Sequence, residues 1–248
     1  MALSVKQLRP LAGRRLPRRL IQLYLGLILY GVSMALLVES TLGLDPWDVL
    51  HQGIAERTGL RFGWVVIGVS ILVLLAWIPL RQKPGFGTIS NAFVIGLAVD
   101  GALAVLPTVQ PLWLRVGFMV AGIVLNGVAT GLYIGARLGP GPRDGLMTGL
   151  AARGHSIRVV RTGIEVSVLV AGFLLGGTVG IGTLLYAVGI GPLAHVFIPY
   201  FTVPQPDVPQ PEVPQPAEPD AGHPEPATSV AEKCLPTVGG ECAAESAA

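Results

Sequence analysis

Six apolar stretches, each long enough to cross a bilayer as a helix, punctuate the chain at about 20–42, 62–80, 87–107, 112–136, 159–177 and 179–201. A spanning helix needs roughly 17 to 25 apolar residues, and each run reaches that length. Two segments break the pattern: 43–57, between the first and second runs, and 139–153, between the fourth and fifth. Both are too short and too polar for ordinary crossings. Pro46 and Pro142 suit a first helical turn, and Asp48 and Asp144, two residues on, suit its positive end. Each segment therefore reads as a short helix.

These two segments are copies of one another. Between 31–57 and 127–153, 11 of 27 positions are identical, among them Leu42/Leu138, Gly43/Gly139, Pro46/Pro142, Asp48/Asp144, Gly53/Gly149 and Arg57/Arg153. Chance in so apolar a composition gives about 2 or 3. With one residue dropped, Gly85-Phe86-Gly87-Thr88 matches Gly180-Ile181-Gly182-Thr183, followed by Ala92/Ala187, Ile95/Ile190 and Gly96/Gly191. The chain is thus a duplication of a unit of about 95 residues. Three crossings per unit is an odd number, so the second unit enters from the opposite side. The expected fold is an all-α polytopic membrane protein: six transmembrane helices in two inverted three-helix repeats, each with a short helix carrying the Pro-x-Asp motif. Repeat 1 covers 20–107 and repeat 2 covers 112–201. The sequence leaves open whether the short helices re-enter, cross or lie on the surface. Re-entry would let their N-terminal ends meet; surface helices would sit on opposite faces.

Composition agrees with membrane burial, since 51% of residues are hydrophobic and 13% charged. The net charge of +2 hides an asymmetry, with about +9 on residues 1–201 and −7 on 202–248. Residues 1–19 are basic and carry no small-residue cleavage site after a short apolar core, so they read as a cytoplasmic stop ahead of an uncleaved span. Placing both termini in the cytoplasm puts Arg81, Lys83, Arg137, Arg143, Arg153, Arg158 and Arg161 inside and leaves Arg57, Arg61 and Arg115 outside, as the positive-inside rule demands. From Val203 the five-residue repeat Val-Pro-Gln-Pro-Asp/Glu begins, and the tail stays polar to Ala248. Such a segment buries too little apolar area to fold, and residues 202–248 are expected to be disordered. Cys234 and Cys242 lie there, at a spacing that fits no common metal motif.

The segment Gly43, Asp45-Pro46-Trp47-Asp48 and Gly53, the Gly-x-Gly-Thr at Gly85–Thr88, and Gly141-Pro142-Arg143-Asp144-Gly145-Leu146-Met147 resemble the YczE/YyaS/YitT-type family of bacterial integral membrane proteins. The likeness covers about 18–200. It implies a multi-pass protein of the bacterial cytoplasmic membrane, in a family without an established biochemical activity.

The candidate chemistry centres on the duplicated motif. Asp48 and Asp144 either cap helix ends, an interaction worth about 0.3 to 1 kcal/mol, or form a solute site. Trp47 and Arg143 break the symmetry at equivalent positions and would give such a site two unlike halves. Each Gly-x-Gly-Thr reads as a turn with Thr as the cap, the alternative being an anion held by its free backbone N–H groups. Asn91 and Glu165 are polar groups within apolar runs and belong with the candidates, because ionisable groups in lipid cost on the order of 2.5 to 3.5 kcal/mol unless they face protein or water. For Glu165, pairing with Arg158 or Arg161 one turn back is the plain alternative. Asp100 and His195 match at the shorter offset and read as interfacial. Gly127, Gly131 and Gly135 favour close helix packing within the chain, with a homodimer as the alternative.

No nucleophile–base pair, metal cluster or nucleotide loop is visible in the sequence, so no enzyme, cofactor, metal or nucleic-acid partner is expected. Two functions remain. One is a transporter or permease-like carrier of a small solute, bound where the short helices meet. The other is a non-transporting membrane accessory or scaffold whose loops and tail engage proteins. Deleting residues 203–248 should leave insertion and thermal stability of the body unchanged, because a Pro-rich acidic segment adds no packed apolar area. A large loss of folded protein on a melting curve would show that the tail docks.

Overall fold

The computed structural model describes residues 16–203, and among these the ordered elements are eight helices with no strand. They are α1 (Leu16–Ser40), α2 (Pro46–Thr58), α3 (Phe62–Leu80), α4 (Phe86–Val105), α5 (Leu112–Gly135), α6 (Pro142–Ala151), α7 (Ile157–Leu174) and α8 (Ile181–Phe201). Five of them, α1, α3, α4, α5 and α8, are long and apolar enough to cross a membrane. The expected sixth, α7, has 18 residues, but Arg158, Arg161 and Glu165 within it dilute its apolar character. The basic segment before Leu16 and the chain beyond Val203 lie outside the described residues, as does the expected disorder of the tail. The body nevertheless extends past the predicted end at 201. Val203 is buried and donates its N–H to Gly135 O at 3.1 Å, so the deletion proposed above should begin at 204.

Backbone turns recur at the same offset as the sequence. Every described residue with φ in the left-handed region has a counterpart in the other unit: Thr41 with Arg137, Gly43 with Gly139, Gly59 with Gly154 and Arg81 with Gly176. Contacts between the units recur as well. Gly87 N–H donates to Leu138 O at 2.9 Å, and Gly182 N–H donates to Leu42 O at 2.8 Å, so each Gly-x-Gly-Thr grips the turn that precedes the other unit's short helix. The duplicated arginines follow the same rule. Arg57 Nε donates to Leu175 O at 3.1 Å and Arg153 Nη2 to Pro79 O at 2.7 Å, each reaching a carbonyl at the C-terminal end of the other unit's long helix.

This geometry corrects the reading of the glycine motif. The cap of α4 is Gly85 and that of α8 is Gly180; Thr88 and Thr183 sit at the third helical position, and their hydroxyls accept from the cap N–H. The N–H groups of Gly87 and Gly182 are spent on backbone carbonyls and are not free for an anion.

Packing is equally reciprocal: α1 lies along α5 and α4, α5 lies along α8, α2 packs on α7, and α3 packs on α6. The stripe Gly127, Gly131 and Gly135 is covered by Leu193, Phe197 and Phe201 of α8, where an added Cβ would come within 2.6–2.7 Å. That stripe is therefore used inside the chain. Gly145 is another close approach, since its Cβ would fall 2.0 Å from Cζ2 of Trp77, whose indole Nε1 donates to Pro142 O at 3.0 Å. Gly145→Ala should displace Trp77 and cost about 1–3 kcal/mol. Gly68→Ala, in an open part of α3, should stabilise by about 0.5–1 kcal/mol. Melting midpoints moving in opposite directions would check both.

Candidate functional site

The N-terminal ends of α2 and α6 meet. Arg143, in the first turn of α6, places Nη2 3.5 Å from Asp48 Oδ1 and Nη1 3.8 Å from Asp45 Oδ2. Its guanidinium carbon also stands 5.1 Å over the ring of Trp47, a cation–π contact between equivalent positions of the two units. Of the placements left open for the short helices, this contact does not fit helices lying apart on opposite faces.

Local sequence explains the placement of each acid. Asp45 precedes Pro46, adopts extended backbone and caps α2, its Oδ1 accepting from Asp48 N–H at 2.8 Å. The capping hydrogen bond thus belongs to Asp45, while Asp48 stands in the first turn of α2 and keeps the charge interaction with the helix end. Asp48 is fully buried, and its Oδ1 accepts from His51 Nδ1 at 3.0 Å as well as facing Arg143. In α6 the cap is Gly141, which has no side chain to offer, and Asp144 instead accepts from Tyr133 OH at 2.9 Å. Asp45, Asp48 and His51 all lie outside the five candidate spans. Burial pushes both carboxyls up, with the Arg143 guanidinium opposing it. Burial and the same guanidinium push His51 down, keeping its imidazole neutral. A neutral His51 donating from Nδ1 to a carboxylate leaves Nε2 as an acceptor.

Four buried polar atoms in this cluster have no hydrogen-bond partner: Asp45 Oδ2, Asp48 Oδ2, His51 Nε2 and Trp47 Nε1. Buried polar groups left without a protein partner are costly, and four in one cluster call for a physical reason. Two cavities flank Arg143. A small one of about 60 Å³ is lined by Tyr30, Asn91, Tyr133, Arg143 and Asp144 among others. A larger one of about 260 Å³ is bounded by Asp45, Trp47, Arg143, Glu165 and Tyr186 among others. Asn91 of the first and Tyr186 of the second are counterparts at the 95-residue offset, as are Ile95 and Ile190. The cavities differ in size because α3 packs along α4, whereas α7 and α8 each supply a wall of the larger one.

Of the sequence-derived candidates, Asp48, Trp47, Arg143 and Asp144 come together at the helix ends. Asn91 lines the small cavity with Arg143 and Asp144. Glu165 lines the larger one and is paired with Arg161 at 3.0 Å, one turn back as the plain alternative required. Asp100 accepts from Gly63 N–H at 2.6 Å at the start of α3, and Asn126 bridges Ser33 and Tyr186. Sequence reasoning missed Asp45, His51 and the three tyrosines Tyr30, Tyr133 and Tyr186. The Asp-Pro pair that opens α2 was the available signal for Asp45; for the tyrosines, set within apolar runs, there was none.

Comparison with known proteins agrees with the membrane reading. No solved structure matches. A protein of Haemophilus influenzae described as "Uncharacterized protein" is 44% identical over 177 residues, covering 71% of this chain and 81% of the relative. In Bacillus subtilis, "Uncharacterized membrane protein YczE" is 32% identical over 179 residues (71% of this chain, 83% of the relative), and "Uncharacterized protein YyaS" is 31% identical over 182 (71% and 90%). The resemblance drawn from the motifs is therefore shown. Residues 17–199 match the model of a family of unknown function, DUF6198, and the chain is a multi-pass helical membrane protein belonging to that family.

Proposed function

We propose that the protein is a carrier of a small solute in the bacterial cytoplasmic membrane, binding it where α2 and α6 meet. The observation that carries this reading is the ion pair of half-buried Arg143 with the buried Asp45 and Asp48, set between two cavities and accompanied by unpartnered polar atoms. A scaffold needs only packing faces and gives no reason to keep such groups unsatisfied, whereas a binding site does. The larger cavity falls below the roughly 300–1,000 Å³ of drug-sized pockets, which suits a small solute.

On this reading α7 is the sixth span, its charge confined to the Arg161–Glu165 pair and Arg158, and the chain is two inverted three-helix repeats. The reciprocal contacts of Gly87 with Leu138 and Gly182 with Leu42 support that symmetry. The short helices are re-entrant, because helices on opposite surfaces could not bring Arg143 within 3.5 Å of Asp48. No step of the reading requires catalysis, a cofactor, a metal or nucleic acid; the lipid bilayer is the partner, and both termini are cytoplasmic.

Cysteine labels placed near Lys83 and Arg153 should then react only from the cytoplasmic side, and one near Val109 only from outside. Labelling near Arg153 from outside would overturn the six-span arrangement. For the site, the purified protein is screened by thermal shift against small solutes of different charge, and uptake of any hit is measured in proteoliposomes. Asp48→Asn and Asp144→Asn should each cut uptake by roughly 10- to 100-fold, the size of one lost charged interaction, without loss of expression. The double variant should be no worse than the more severe single one. Undiminished uptake by both variants would remove the aspartates from the site.

A further inference from the structure

The larger cavity carries information about the chemical class of its occupant. Its polar lining comprises Asp45, Asp144 and Glu165 against Arg143 and Arg161, and Glu165 is already neutralised by Arg161 at 3.0 Å. That leaves Asp45 and Asp144 facing a single guanidinium, with Asp48 fully buried behind them. Arg143 satisfies neither partner of its cluster closely, standing 3.5 and 3.8 Å from Asp48 and Asp45. Three of the four unpartnered buried atoms, Asp45 Oδ2, Asp48 Oδ2 and His51 Nε2, are acceptors, so what the cluster lacks is donors and positive charge. Asp45 is 2% exposed and itself lines the cavity. The remaining walls there include the aromatic rings of Tyr30, Trp47 and Tyr186, and aromatic faces attract cations.

We infer that, on the carrier reading above, the solute bound in this cavity is a small organic cation bearing a primary amine, with its ammonium seated on Asp45 between Trp47 and Arg143. The ammonium supplies N–H donors to Asp45 Oδ2, and its charge balances the surplus carboxylate. Arg143 competes with it for the same acids. The guanidinium can give way, because its side chain is 22% exposed and borders both cavities. Among the described residues no group of three or more His, Cys, Asp or Glu is arranged to hold a metal ion, which sets an organic cation ahead of a divalent one.

The test uses the full chain in detergent and three probes of one shape: n-butylammonium chloride, potassium butyrate and n-butanol, each against potassium chloride at equal ionic strength. Butylammonium should raise the melting midpoint with concentration, by roughly 5 °C at a hundredfold excess over Kd, while butyrate and butanol leave it unmoved. Asp45→Asn should abolish the shift while keeping the fold, since asparagine still caps α2. Arg143→Gln should enlarge the shift at subsaturating probe, a gain that damaged packing would not produce. A shift from butyrate in place of butylammonium overturns the cation assignment and leaves the carrier reading standing. A butylammonium shift that survives Asp45→Asn, or no shift with any probe, also overturns the assignment, and the carrier reading then rests on the uptake measurement alone.

Discussion

Two helix N-termini, each carrying about half a positive charge from its aligned peptide dipoles, are brought together inside this fold, and a guanidinium is placed between them. That concentration of positive charge is offset by Asp45 and Asp48, 3.8 and 3.5 Å from the guanidinium, and by Asp144 on the wall of the same cavity. Burying such a cluster costs several kcal/mol per ion before attraction is counted, and removing one partner of a buried pair typically costs 3–5 kcal/mol. The cluster must therefore be held by structure outside it. That structure is the set of reciprocal contacts: each Gly-x-Gly-Thr fixes the turn ahead of the other unit's short helix, and Arg57 and Arg153 fix the far ends. The short helices themselves have too few residues, 13 and 10, to be stable without this support.

The duplication and the apolar runs were legible because both are periodic: a repeat of identical Gly, Pro, Asp and Arg survives composition bias, and a bilayer imposes a minimum length. Residue-level geometry was less so. Asp48 looked like a cap by position, yet Asp45 three residues earlier takes the capping bond and leaves Asp48 to Arg143. Asp45 was quoted within the motif but not among the candidates, because its counterpart is Gly141 and the duplicated acid at 48 and 144 drew the chemistry to itself. Thr88 and Thr183 were assigned to the cap, whereas the flexible glycine three residues before each takes that place and the hydroxyl folds back to it. The tyrosines lining the cavities sit among apolar residues at ordinary helical spacing, and only tertiary packing reveals which way they face. The attachment of Val203 to the body rests on one backbone bond to Gly135, which hydropathy does not encode.

Where the two copies differ follows from where they touch. Arg57 and Arg153, or Gly43 and Gly139, each contact an unlike position in the other unit, so the same residue serves in both. Position 47 and its counterpart 143 instead touch each other. Two arginines there would repel at about 5 Å in a buried setting, and two tryptophans would leave three carboxylates without a cation. One of each gives a cation–π contact and a counterion at once. The same logic separates Asp45 from Gly141. A second carboxylate at 141 would crowd Asp144 Oδ2, already 3.2 Å from where a Cβ at that glycine would sit, and would add charge that one guanidinium could not balance. The asymmetry of the cluster is thus what permits a duplicated chain to bury charge at the point where its halves meet. It also turns Asp45 towards the larger cavity alone, whereas Asp144 borders both.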